Sequence, residues 1–397
     1  MRGTNWGRVA VAVWATVLAG LAVEAYLRPS GHTVFDIYAA AGRAWSGRAD
    51  LYERLPGASD VFRYSPLFAA LIAPLTVLPD GVANAAWKVL NAGVFLLGLG
   101  AWCRRGLPAA PLGPGRTGLV FLLALPVAVG SLFNGQANLL VAGLVLLAAT
   151  TAAEGRTWAS AAALAAATLV KGYPVVLALL LVARHPRGLA ARYPAALAVG
   201  LAAPFLFGPP GYVTAQTTGW AEHMAASSTL AAAKVNTLKR LLAVAGAPLP
   251  PPAFLALAAV AAAGVLGITL RAANPRAGAA TATAGFVLWV LLFVPSTETQ
   301  TYALAAPVAA AAFAGGFGRA PGRVGRAVLL ASAYLMGLAT TDITPKPLRD
   351  LARRYAAPPA GALLLAGWLA ADAARRRSGR PPEPGSTEDH LPAARAA

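Results

Sequence analysis

Apolar runs close to the length of a bilayer crossing recur along the whole chain, broken by short polar or basic stretches. A hydrocarbon core about 30 Å thick is crossed by roughly 20 residues of helix. On that measure the pattern predicts spans near 6–26, 81–103, 117–133, 136–153, 157–171, 173–185, 189–208, 252–271, 279–295, 300–317, 324–340 and 358–374. That makes about twelve helices. The 157–171 and 173–185 pieces are short, and tilting, breaks or burial by neighbours are expected there. The run 65–79 is also short and carries Pro66, Pro74 and Pro79, so it is expected to be re-entrant or to lie at the surface. Residues 1–374 thus read as one all-α integral membrane domain. The tail 375–397 is basic, then rich in Pro and acids, and reads as disordered and cytoplasmic.

Composition narrows this further. Apolar residues make up 57% of the 397 and charged residues 12%, against about 25% charged in an ordinary soluble domain. The single cysteine, Cys103, excludes an intrachain disulfide and a cysteine metal cluster. Four scattered histidines speak against a zinc site, so no metal ligand set is assigned. The net charge of +18 is large enough to raise nucleic acid as a partner. The charges, however, fall in short clusters between apolar runs, so lipid is the expected environment and no nucleic-acid partner is expected. Abundant Ala and Gly permit close helix approach.

Charge also sets the orientation. If 65–79 does not cross, Arg2 and Arg8, Arg104, Arg105 and Arg116, Arg156, Arg184 to Arg192, Arg271 and Arg276, Arg319 to Arg326, and Arg375 to Arg380 all fall on one side. The positive-inside rule then makes both termini cytoplasmic in a multi-pass inner-membrane protein. The outer face collects the unusual polar residues, in 27–64, at Asn134-Gly135-Gln136, at Lys171, in 209–250, at 296–300 and in 341–357.

Several residues on that face carry candidate chemistry. Asp36 follows the first span, ahead of a short helix expected over Ile37 to Trp45 along the membrane surface. A carboxylate among apolar neighbours resists ionisation unless paired, which suits a general base acting on a hydroxyl. The competing reading is an acid placed at a helix N-terminus to meet the dipole. Lys171, between two apolar segments, is placed to meet a lipid phosphate, or it snorkels. Asn134-Gly135-Gln136-Ala137-Asn138 offers three amides to sugar hydroxyls, or is a plain turn.

The loop 212–240, with Trp220, Glu222, His223, Ser227, Ser228, Lys234, Asn236, Lys239 and Arg240, is longer than a connector needs. Its cations could gather a phosphate, or meet lipid headgroups nonspecifically. Glu298 is the one acid in the polar break Pro295 to Tyr302. No Walker or GxGxxG phosphate cradle and no Asp-x-Asp metal pair is present, which argues against a cytosolic sugar-nucleotide donor.

Together these residues resemble glycosyltransferase family 87. The first-loop run Asp36-Ile37-Tyr38, Gly47, Leu51-Tyr52 and Phe62-Arg63-Tyr64-Ser65-Pro66-Leu67 is similar to its signature, and Pro74, Leu78-Pro79 and Trp87 continue it. Asn134 to Asn138 matches its Asn-Gly-Gln-x-Asn block. Lys171 matches its lysine after the sixth span, and Asn236 with Arg240 its Asn and Arg pair, so the resemblance covers roughly residues 30–305. Three departures stand out. Gly172 replaces the usual proline after the lysine, Ser65 replaces a proline, and Gln300 occupies a histidine position in a block lacking its tryptophan.

The resemblance implies a GT-C-type multi-span fold. It also implies a polyprenyl-phosphate-linked sugar donor, typically mannose, and a glycolipid or polysaccharide acceptor at the outer face of the cell envelope. Asp36 maps onto the family's catalytic aspartate. Lys171, with Arg240 or Lys234, would then hold the donor phosphate. Tyr64, Asn134, Gln136, His223, Asn236, Glu298 and Gln300 would contact sugar or acceptor. The scheme inverts the anomeric centre and calls for no cofactor and no metal. The rival readings are a lipid or sugar transporter, and an inactive scaffold of an envelope-assembly complex.

Overall fold

The computed structural model describes residues 5–31, 33–107, 112–227, 235–295, 297–318 and 320–377. Among the described residues every regular element is helical and no strand occurs. This is the expected solution for backbone inside lipid, where each N–H and C=O must be bonded within its own segment. Among the described residues, six helical stretches are long and apolar enough to cross a membrane: Trp6–Leu27, Asp80–Gly106, Pro114–Asn134, Pro186–Leu206, Pro251–Leu270 and Pro275–Phe293.

The chain opens with α1 (Trp6–Leu27), capped by the Asn5 side chain. Then come α2 (Phe35–Gly47) and α3 (Pro66–Ile72), which runs on into a 3-10 turn at Ala73–Val77. Next, α4 (Asp80–Ala101) ends in a wider π turn, and α5 (Pro114–Asn134) follows. The helices α6 (Asn138–Ala153), α7 (Thr157–Val170) and α8 (Val175–Arg184) are apolar but shorter. The stretch 186–206 divides into α9 (Pro186–Leu189), α10 (Arg192–Ala202) and a 3-10 turn. Then follow α11 (Pro210–Ser227), α12 (Leu238–Val244), α13 (Pro251–Leu270) and α14 (Pro275–Phe293). The expected span 300–317 is a 3-10 segment, Thr299–Ala305, joined to α15 (Ala306–Phe313). Last come α16 (Arg323–Gly337), α17 (Lys346–Arg354) and α18 (Ala357–Arg377). The helix α18 runs past the expected boundary at 374, and residues 378–397 of the expected disordered tail lie outside the described residues.

Two sets of contacts distinguish the ends of the bundle. Gly81 lies so close to the end of α1 that a Cβ there would come within 2.7 Å of the Tyr26 carbonyl oxygen, and Asn84 donates to the Pro29 carbonyl at 3.1 Å. The excursion through α2 and α3 therefore begins and returns at one end. The other end is tied by arginine. Arg105 and Arg156 both pair with Glu154, Arg184 donates to the Ala272 carbonyl at 3.1 Å, and Arg376 pairs with Asp372 at 3.1 Å.

The central contact is α4 against α6. Gly98 and Gly143 meet backbone to backbone, because a Cβ on Gly98 would strike the Gly143 carbonyl and one on Gly143 the Val94 carbonyl. Small residues allow this approach, and dispersion between the closely packed helices is what holds them where no hydrophobic effect acts between segments. The main apolar core includes Phe95, Leu99, Trp102, Leu139, Leu146, Phe286 and Leu291. A second, smaller core of Phe35, Tyr38, Trp45, Leu51, Phe62, Phe68 and Trp87 anchors α2 and α3 on the bundle. Outward-facing Leu97, Val199, Leu206 and Val260 are exposed apolar side chains, as lipid-facing positions should be.

Candidate functional site

The polar end is assembled around the start of α2. The Val34 N–H donates to the Asn134 carbonyl at 2.9 Å, and the Phe35 N–H to the Thr33 hydroxyl at 3.1 Å. Asp36 sits in the first helical turn, where the helix dipole favours its negative charge. Its Oδ2 accepts the Ser59 N–H at 2.8 Å. Its Oδ1 is buried and has no hydrogen-bond partner among the described residues. One oxygen thus holds the side chain in place while the other makes no hydrogen bond to the described residues.

Next to it the Tyr38 and Tyr64 hydroxyls share a 2.6 Å hydrogen bond. Tyr64 stacks on Phe68 with ring centroids 4.7 Å apart, and burial pushes its hydroxyl far above the usual phenol range, so it stays protonated. The polar break Asn134 to Asn138 then turns through Gly135 at φ 71°, a left-handed conformation that glycine adopts without steric penalty. The turn is held from α4. Trp87 donates its indole N–H to the Gly135 carbonyl at 2.7 Å. Asn91, fully buried, donates to the Gln136 carbonyl and accepts the Leu140 N–H.

From this turn a chain of side chains runs across the bundle. The Lys171 ammonium donates to Asn138 Oδ1 at 2.7 Å. Asn138 Nδ2 donates to Gln136 Oε1 at 2.7 Å, and Gln136 Nε2 donates to Glu298 Oε2 at 3.2 Å. All three bonds point the same way, from cation to anion, so each polarises the next. Lys171 also lies 6.0 Å from the centre of the Tyr64 ring.

Beyond Glu298 a cavity of about 310 Å³ opens, lined by Asn236, Arg240, Glu298, Thr299, Gln300, Thr340 and Arg353. Asn236 is fixed on both sides, its N–H to the Thr297 carbonyl at 2.8 Å and its amide to the Thr299 hydroxyl at 2.7 Å. Arg240 donates to Asn236 Oδ1 at 3.0 Å and to the Arg353 carbonyl at 2.8 Å.

Two clusters therefore emerge. Asn236, Arg240, Glu298 and Gln300 line one cavity, and Gln136 with Lys171 joins it through Glu298. Asp36 lies in neither the cavity lining nor the hydrogen-bonded chain. Lys234 falls outside the described residues. The expected irregular loop over 212–240 is corrected. Residues 210–227 form α11, an 18-residue helix begun by Pro210, and α12 follows at Leu238–Val244. His223 is thus a helical residue, its ring 5.9 Å from that of Tyr52. Burial, then the nearby Arg63 charge, hold its pKa below the ordinary imidazole range. Likewise the expected outer loop 341–357 contains α17.

Asn91, Thr340 and Arg353 were not assigned from sequence. Asn91 had one available signal, a polar residue inside an otherwise apolar span. Arg353 and Thr340 had none, since their relation to Arg240 exists only through space.

Residues 62–295 match glycosyltransferase family 87, which is more than half of the chain. The chain belongs to glycosyltransferase family 87. As a member of the family it uses a sugar donor and an acceptor, and its helices long and apolar enough for spanning agree with membrane residence. No curated protein matches it. The family 87 match takes in Tyr64, the Asn134 to Asn138 turn, Lys171, Asn236 and Arg240, while Asp36, Glu298 and Gln300 lie outside it.

Proposed function

We propose that this family 87 glycosyltransferase transfers a sugar, mannose, from a polyprenyl-phosphate donor to a glycolipid or polysaccharide at the outer face of the cytoplasmic membrane. The observation that carries the proposal is Asp36, a carboxylate anchored by one oxygen with the other buried and unpartnered among the described residues at the polar end. A base needs a lone pair that no other donor occupies. The acceptor hydroxyl gives its proton to Asp36 as its oxygen attacks the anomeric carbon. The bond from that carbon to the phosphate oxygen breaks, and polyprenyl phosphate leaves with the electron pair. One displacement inverts the anomeric configuration, and the leaving phosphate needs no general acid.

Lys171 and Arg240, with Lys234, supply positive charge where the phosphate gains negative charge in the transition state. Tyr64, Asn134, Gln136, His223, Asn236, Glu298 and Gln300 orient the sugar and acceptor. Gln136 has one amide hydrogen and one lone pair left after its two bonds. Gln300 supplies hydrogen bonds but no charge. The lipid-linked donor is favoured by the family resemblance and by the lack of a nucleotide cradle in the sequence. The arginine-tied end supports a cytoplasmic placement under the positive-inside rule. About twelve crossings then leave both termini inside.

The test is transfer from radiolabelled polyprenyl-phosphate mannose in membranes carrying wild type or Asp36→Asn at equal expression. The expected outcome is product from wild type and a loss of about 10²- to 10⁴-fold in the variant. Equal labelling would remove Asp36 from the mechanism. No labelling by either would exclude mannose or the transfer reading.

A further inference from the structure

The cavity beyond Glu298 contains more positive charge than Arg240 alone supplies. Arg353 lines it beside Arg240, and neither guanidinium has a salt-bridge partner among the described residues. Arg240 spends two of its donors on Asn236 and the Arg353 carbonyl. Arg353 donates to the Thr340 carbonyl at 2.9 Å. A guanidinium has five N–H donors, so both keep donors in reserve. Glu298, the one acid of the lining, is engaged elsewhere: it accepts from Gln136 and caps the turn at Thr301.

A second observation is independent of charge. Thr340 is 7% exposed, lines the cavity, and its hydroxyl has no hydrogen-bond partner among the described residues. A buried hydroxyl left unpaired is costly, so its retention beside two cations points to a ligand oxygen.

We infer that Arg353 and the Thr340 hydroxyl complete, with Arg240, a binding site for a phosphate ester group. Each guanidinium fork can donate two parallel N–H bonds to a pair of phosphate oxygens, and a hydroxyl can donate to a third oxygen. The inference rests on the transferase reading in one respect, since it takes the phosphate to be that of the donor or its leaving group. The helix that carries Arg353 favours a lipid as its source. In α17, Leu348 and Leu351 are 56% and 52% exposed, Arg354 adds a cation to the last turn, and Lys346 and Arg349 pair with Asp350 and Asp342. Such a helix lies at a lipid headgroup boundary.

Purified full-length protein in detergent is titrated with inorganic phosphate and with farnesyl phosphate by calorimetry. Binding is expected to weaken at least tenfold in Arg353→Gln. Arg353→Lys, which keeps charge but not the fork, should fall between. Thr340→Val should weaken binding several-fold, and Thr340→Ser should restore it, which separates the hydroxyl from packing. Arg271→Gln, outside the cavity lining, should bind as wild type. Tighter farnesyl phosphate supports a lipid source, and equal affinity supports the phosphate group alone.

Wild-type affinity in both Arg353→Gln and Thr340→Val overturns the site, as does no binding of either probe. The two readings fail separately. Arg353-dependent binding without any sugar transfer keeps the site and discards the transferase mechanism. Asp36-dependent transfer that Arg353→Gln leaves intact does the reverse.

Discussion

Lys171 and Glu298 are joined by two intervening amides, those of Asn138 and Gln136, in a hydrogen-bonded chain that runs in one direction from ammonium to carboxylate. The charges are not in direct contact. Their alignment is carried by a turn that α4 grips from the opposite side through Trp87 and Asn91.

This arrangement predicts coupling. Lys171→Met is expected to lower kcat/KM by roughly 10- to 100-fold, the scale of a charged hydrogen bond. Asn138→Leu should lower it comparably, because the ammonium is then misdirected. The double variant should lose much less than the product of the two, leaving a coupling of about 0.5–3 kcal/mol. Simple multiplication of the losses would show that Asn138 does not act through Lys171.

A second pair tests burial. The Lys88 ammonium, 1% exposed, pairs with Glu24 at 2.9 Å, while the Glu24 side chain is 21% exposed. Removing the acid strands a buried cation, and removing the cation leaves an acid that water can reach. Glu24→Gln is therefore expected to destabilise by about 3–5 kcal/mol, and Lys88→Met by less. The double variant should recover part of the loss. Thermal unfolding in detergent gives the order, and the reverse order would contradict the assignment.

The Gly98 and Gly143 contact admits no side chain. Gly143→Ala is expected to force α4 and α6 apart at a cost of about 1–3 kcal/mol or more. Gly93→Ala, with nothing within 4 Å of its added Cβ, should be neutral or mildly stabilising on the same α4. Comparable unfolding temperatures for the two variants would refute close packing at the crossing.

Acid should loosen α11. The folded-state pKa of His223 is depressed by burial and then by Arg63, so the unfolded chain takes up a proton more readily. Its stability contribution is complete above the unfolded pKa of about 6.5, and it is lost as pH falls through the lower folded value. The unfolding temperature of wild type should drop on acidification through this window, and His223→Gln should flatten part of that drop. Only part is expected, because His185 is depressed in the same direction, by burial and then Arg184. An unchanged profile in the variant would show that His223 does not contribute.

The polar pattern could be read directly for Asp36 at the head of a short helix and for the Asn134 to Asn138 turn. It also marked Lys171 at a helix break. In each case a local signal existed, a polar residue interrupting apolar periodicity or a glycine at a turn. The Asn236 and Arg240 pair had no such signal and came from the family resemblance alone. It failed over 212–227. There α11 mixes Gly, Thr and Ala with few apolar anchors, so no periodicity marks it as a helix.

What the sequence determined by itself was the helical, membrane-embedded class. It follows from composition along a line, because a lipid core admits only long apolar segments with internally bonded backbone. What only the tertiary structure decided was partnership. Asn91 under Gln136, Asn138 between Lys171 and Gln136, and Thr340 and Arg353 beside Arg240 are contacts between distant segments. Their energies depend on distance and burial, which arise only when the helices pack.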